Sequence, residues 1–98
     1  MDTVVPTGTI SINGGASSTR SRSVTLNLSA SDPSPASGVA DMRFRNGGTT
    51  TWSSWEAYST SKSWTLTSGA GTKTVYVQYR DRAGNISATA SDTIRYSR

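Results

Sequence analysis

Trp52, Trp55 and Tyr58 are the side chains best suited to hold a ligand in this 98-residue chain. Sugar rings stack their flat faces on exposed indoles, and a platform needs two or three aromatic rings on one side. Residues three apart on a regular strand point to opposite faces. The two tryptophans therefore share a face only if Ser53 and Ser54 form a bulge; otherwise one is buried and the other packs along an edge. A second cluster consists of oxygen donors, Asp2, Asp32, Asp41, Asp81 and Asn85, hard ligands of the kind calcium takes. Calcium is the one possible cofactor; nothing else in the chain calls for one. Two features compete with it. The loops lack the dense Asp-x-Asp spacing of a dedicated calcium loop, and Arg80 and Arg82 crowd the same pole. Asp32 before Pro33 and Asp81 before Gly84 are also suited to closing turns through their own carboxylates.

Catalysis finds little support. There is no Cys and no His, which removes thiol nucleophiles, imidazole metal sites and a His-based triad. Glu56 is the only glutamate, and no Asp stands at a defined spacing from it to form the carboxyl pair of glycoside hydrolysis. Only Lys62 and Lys73 are available as bases for a serine. Lys73 opens a strand near a rim, a poor place for an internal Lys–Asn crosslink. No enzyme is expected.

The net charge is +4, from eight Arg and two Lys against five Asp and Glu56. The arginines are scattered at 20, 22, 43, 45, 80, 82, 95 and 98, without the blocks that mark interaction tails. Arg43 and Arg45 share an outward face with Asp41. Two arginines are too few to predict nucleic-acid binding, which needs them interleaved with aromatics on one face.

These residues are positioned by short strands. Val75, Val77 and Tyr79 alternate with Thr74, Tyr76 and Gln78, a period of two with no Pro or Gly between them. Such a segment can bond on both edges, as a mid-sheet strand must. It runs into a turn over Asp81–Asn85. Thr7–Ile12 and Val24–Ala30 alternate in the same way, and Val39–Arg45 puts Ala40, Met42 and Phe44 inward. Asn46-Gly47-Gly48 supplies a tight turn, so Trp52–Tyr58 is expected to return as an edge strand. Ser61–Leu66 and Ile86–Tyr96 complete about seven strands, with turn signals every 8–12 residues.

No stretch carries helical periodicity, and Ser and Thr together supply about a third of the chain, which disfavours helix. The predicted core is Ile10, Ile12, Val24, Leu26, Leu28, Met42, Phe44, Trp64, Leu66, Val75, Val77, Tyr79 and Ile94. The expected unit is one domain, residues 1–98, with 1–6 as a leading linker set extended by Pro6. No membrane span or signal peptide is visible. Met1 reads as an added start on one module of a longer protein. Arg20, Arg22, Lys73 and Arg98 are expected at the outgoing pole, and most of the aspartates at the incoming one.

Several segments together resemble a group of bacterial immunoglobulin-like repeats, themselves similar to fibronectin type III domains. They are Asp2-Thr-Val-Val-Pro-Thr7, Val24-Thr-Leu-Asn-Leu-Ser-Ala-Ser-Asp32, Ser37-Gly-Val39, Met42-Arg-Phe44, Trp52-Ser-Ser-Trp55 with Tyr58, Trp64-Thr-Leu66, and Gly71 through Ser87. The resemblance covers nearly the whole chain. It implies an all-β, immunoglobulin-like antiparallel sandwich used as a spacer or interaction module in large secreted or cell-surface bacterial proteins, with no catalytic residues. The bridging Cys pair of antibody-type domains is absent, aliphatics such as Leu28 and Val77 standing in the corresponding strands. The expected partners are neighbouring domains of the same polypeptide, with a polysaccharide possible; nucleic acid and membrane insertion are not expected, and the isolated module should be a monomer. The alternative is a carbohydrate-binding module built on Trp52, Trp55 and Tyr58.

Overall fold

The computed structural model describes residues 6–31, 39–48, 51–82 and 84–97. The strands, in chain order, are β1 (Thr7–Ile12), β2 (Ser18–Thr19), β3 (Ser23–Ser31), β4 (Val39–Asn46), β5 (Glu56–Ala57), β6 (Ser61–Thr65), β7 (Gly71–Asp81) and β8 (Ala90–Tyr96). They form two sheets, ordered β1-β3-β6 and β2-β8-β7-β4-β5. The described residues contain no helix. All pairings are antiparallel except the short parallel contact of β2 with β8. After β1 the chain thus crosses to the other sheet before returning as β3.

The long alternating segment is the centre of the larger sheet. β7 bonds β4 on one edge and β8 on the other, as its freedom from Pro and internal Gly allows. Val75, Val77 and Tyr79 point between the sheets and are fully buried. They meet Ile10, Ile12, Leu26 and Leu28 from the smaller sheet and Met42 and Phe44 from β4. Of the predicted core, only Trp64 departs. It is half-buried at the rim, its ring 5.5 Å from Phe44 and its indole N–H bonded to the Asn46 side-chain oxygen at 2.9 Å. A buried indole must satisfy its N–H, and at the rim Asn46 does so.

Two expected strands are shorter in the ladder, for one shared reason. Trp52–Tyr58 contributes only Glu56–Ala57, and Ile86–Tyr96 only Ala90–Tyr96, with an isolated bridge at Ile86. At Ser53 the backbone N–H donates to the Phe44 carbonyl (2.7 Å), while Ser53 Oγ accepts the Phe44 N–H (2.9 Å). Ser87 treats Tyr79 in the same way, at 2.8 and 2.9 Å. In both places a serine hydroxyl replaces the ladder carbonyl, which lets the backbone leave the strand without orphaning a buried N–H.

The two outer faces differ in charge. Along β1, β3 and β6 the outward residues are Ser, Thr and Asn at every position, from Thr7, Thr9 and Ser11 to Ser61, Ser63 and Thr65. Arg43 and Arg45 on β4, Arg80 on β7 and Arg95 on β8 all project from the other face, with Asp41.

Tyr79 links the sheets: its hydroxyl donates to the Thr9 carbonyl at 2.6 Å and its ring meets Tyr58 edge-on at 5.8 Å. Burial, and after it the nearby Tyr58, push the Tyr79 hydroxyl well above its ordinary value of 10.0, and a backbone contact at Ser29 offsets this only in part. The unfolded chain ionises Tyr79 near that ordinary value while the folded chain keeps the proton. The contribution is therefore complete below about pH 10 and is lost as the pH rises further. Tyr79→Phe should lower the melting temperature at neutral pH, and its deficit should shrink in the alkaline range. A deficit unchanged between about pH 8 and pH 11 would refute this.

Candidate functional site

Both predicted tryptophans lie on the outer face of the larger sheet. Ser53 bonds Phe44, and Glu56 is paired with Met42, so Ser54 and Trp55 together oppose the single residue Arg43. This is a bulge in effect. It shifts the period by one residue and brings Trp52 and Trp55 to the same side, as regular alternation would not. Tyr58, the third member of the expected platform, is on the other side. Its ring packs against the core and its hydroxyl oxygen accepts the Ala30 N–H at 3.0 Å. Once the bulge has reset the phase, Tyr58 follows the inward side, and the trio does not share one surface.

A different aromatic completes the outer cluster. β4 and β7 set Arg45 opposite Tyr76, Arg43 opposite Gln78 and Asp41 opposite Arg80. The Arg45 guanidinium lies 4.2 Å from the Tyr76 ring and 5.1 Å from Trp52. Arg43 lies 4.9 Å from Trp52 and 4.5 Å from Trp55, and Arg80 4.3 Å from Trp55. The result is a stack in the order Tyr76, Arg45, Trp52, Arg43, Trp55, Arg80. Arg80 ends it in an ion pair with Asp41 at 2.8 Å, while Arg43 donates from Nε and Nη2 to Gln78 Oε1 at 3.0 and 2.7 Å. Each cation–π contact is worth about 0.5–1 kcal/mol at such half-exposed positions.

The sequence places only Arg43 and Arg45 together on an outward face; Arg80 and Tyr76 join them there through the pairing of β4 with β7. The outward phase of Tyr76 in the long strand was the available signal; its pairing with Arg45 was not, because β4 and β7 are not consecutive. Asp92 was missed too. Its carboxylate accepts the Ile12 backbone N–H at 2.8 Å and ties β8 to β1.

Of the oxygen donors considered for calcium, Asp81 and Asn85 are brought together, while Asp41 turns to the outer face. Asp2 and Asp32 lie outside the described residues. Asp41 faces outward on Arg80. Asp81 points inward, 2% exposed, and both its oxygens serve Asn85, accepting the backbone N–H at 2.8 Å and the side-chain Nδ2 at 3.0 Å. The hollow between them is lined by Arg80 and Arg82 as well, and no group of three or more acidic, His or Cys side chains occurs among the described residues. At the opposite pole Arg22 donates to the Leu66 carbonyl at 3.0 Å, and Lys73 to Thr67 and Ser68 at 3.1 and 3.0 Å. Arg98 lies outside the described residues.

With strand order and register in place, the fold is an immunoglobulin-like β-sandwich. The PKD1 domain of Vibrio anguillarum Epp superposes with a TM-score of 0.66 over 95% of this chain and 94% of its own, at 20% identity. The fibronectin(III)-like modules of Clostridium thermocellum CbhA superpose with a TM-score of 0.72 over 96% of this chain at 16% identity. The chain spans 47% of that second structure. No protein-family model and no curated protein matches the sequence. At these identities the likeness establishes the fold, and function must come from the site itself.

Proposed function

We propose that this domain is a non-catalytic structural module that holds apart whatever is joined to its two poles, within a larger secreted or cell-surface bacterial protein. The observation that carries this reading is the path of the chain. β1 begins beside Ser31 at one pole, and β8 ends beside Gly71 at the other, in a body measuring 49 × 25 × 17 Å. A chain that enters at one end of a stiff sandwich and leaves at the other transmits distance and direction. Two of the described carboxylates are engaged in ion pairs: Glu56 is held by Lys62 at 3.0 Å and Asp41 by Arg80 at 2.8 Å. The rings of Trp52 and Trp55 are stacked against guanidiniums of the same chain, so the faces a neutral sugar would use already have partners. The external location rests on the Ser/Thr-rich, cysteine-free composition and on the bacterial modules that share the fold.

Small-angle scattering from two copies joined in tandem tests the reading. The expected maximum dimension is close to twice the 49 Å of one copy. A compact particle, with the copies packed side by side, would remove the spacer role.

A further inference from the structure

Beyond the spacer role, we propose that the outer face of the β2-β8-β7-β4-β5 sheet binds an acidic polysaccharide, a chain bearing carboxylates or sulfates. Among the described residues this face carries Arg43, Arg45, Arg80 and Arg95 against the one carboxylate of Asp41. The described residues of this face therefore carry a net charge of +3. The described outward residues of the opposite face, all Ser, Thr and Asn on β1, β3 and β6, carry no charge. Such segregation creates a directed positive field that a random surface scatter would not.

The stack makes these charges orderly. Trp52 and Trp55 each lie between two guanidiniums, so the cations are spaced one ring apart along the stack. Planar, pre-oriented guanidiniums match carboxylate and sulfate geometry and lose little entropy on binding. Arg43 is bonded to the neutral Gln78, so its charge is not cancelled. Beside the row, Thr72, Thr74 and Thr93 project from β7 and β8, hydroxyls suited to sugar hydroxyls. Nucleic acid fits less well. A nucleobase needs an aromatic face to stack on, and the indoles here already stack on arginines.

The test is titration calorimetry and NMR with polygalacturonate and heparin as probes, dextran as the uncharged control, and duplex and single-stranded DNA as competing polyanions. Both acidic polysaccharides should bind at low salt, with affinity falling more than roughly tenfold on raising salt to physiological strength and beyond, and with shifts at the Trp52 and Trp55 indoles. Arg95 is exposed and outside the stack, so Arg95→Gln keeps the fold while weakening binding roughly two- to fivefold; adding Arg45→Gln should weaken it again. Arg22→Gln removes the same charge at the outgoing pole and should leave binding unchanged. Any of three results would overturn the proposal: no acidic polysaccharide bound at low salt, equal losses in Arg22→Gln and Arg95→Gln, or tighter binding of DNA than of both polysaccharides. None of these bears on the scattering test, so the spacer reading stands or falls separately.

Discussion

Gly8→Ala should destabilise the domain by about 2–3 kcal/mol, near the upper end for overpacked cores, and lower its melting temperature by roughly 10–20 °C. Gly8 is on β1 opposite Ala30 and points between the sheets. A methyl group there would overlap two carbons of the Tyr79 ring and come within 3.0 Å of the Ser29 carbonyl oxygen. The ring cannot yield cheaply, because its hydroxyl is bonded to Thr9 and it packs against the Tyr58 ring. β1 would have to move instead, loosening its contact with β3. Denaturant unfolding of Gly8→Ala, Tyr79→Leu and the double variant measures this. If the ring is the obstacle, Gly8→Ala costs much less on the Tyr79→Leu background, because neighbours in contact do not add. Full additivity, or a loss below about 1 kcal/mol in the single variant, would show that the strands have room.

Asp81→Ala is expected to cost about 2–4 kcal/mol, from the loss of two charge-assisted hydrogen bonds at a buried position. The carboxylate bonds the backbone and side chain of Asn85, while Asp81 N–H donates to the Asn85 carbonyl and Gly84 N–H to the Asp81 carbonyl, at 3.0 and 3.1 Å. Gly84 has φ of 94°, which only glycine adopts without strain. Removing the carboxylate strips the turn of its cross-brace. Asp81→Asn retains one acceptor oxygen and should lose about half as much. Unfolding with and without added calcium separates this role from a metal site. Equal losses in both conditions are expected; a calcium-dependent rise in melting temperature that Asp81→Ala abolishes would assign the carboxylate to a cation instead.

Period-two patterning located the strands of the core well. Val24, Leu26 and Leu28, or Val75, Val77 and Tyr79, each alternate cleanly, and burying one face of a strand requires that alternation wherever it folds. The same logic failed at Ser53 and Ser87, where a hydroxyl takes over a ladder bond and the strand breaks. Serine looks the same in a sequence whether it faces solvent or caps a backbone N–H. β2 was invisible for a simpler reason: two residues, Ser18 and Thr19, have no period to read.

The candidate site was half legible. Trp52, Trp55, Arg43, Arg45 and Asp41 are close in sequence, and the bulge that unites the tryptophans was among the alternatives. Tyr76 and Arg80 reach that surface only through the register of β4 on β7. Those strands are separated by β5 and β6, so no turn fixes their register, and core packing on the inner faces sets it instead. Composition and alternation thus determined an all-β sandwich and its core, because those depend on residue type and local period. The bulge, the inward turn of Tyr58 and the gathering of three arginines onto three rings were decided by tertiary pairing, because they depend on which strand lies beside which and in what register.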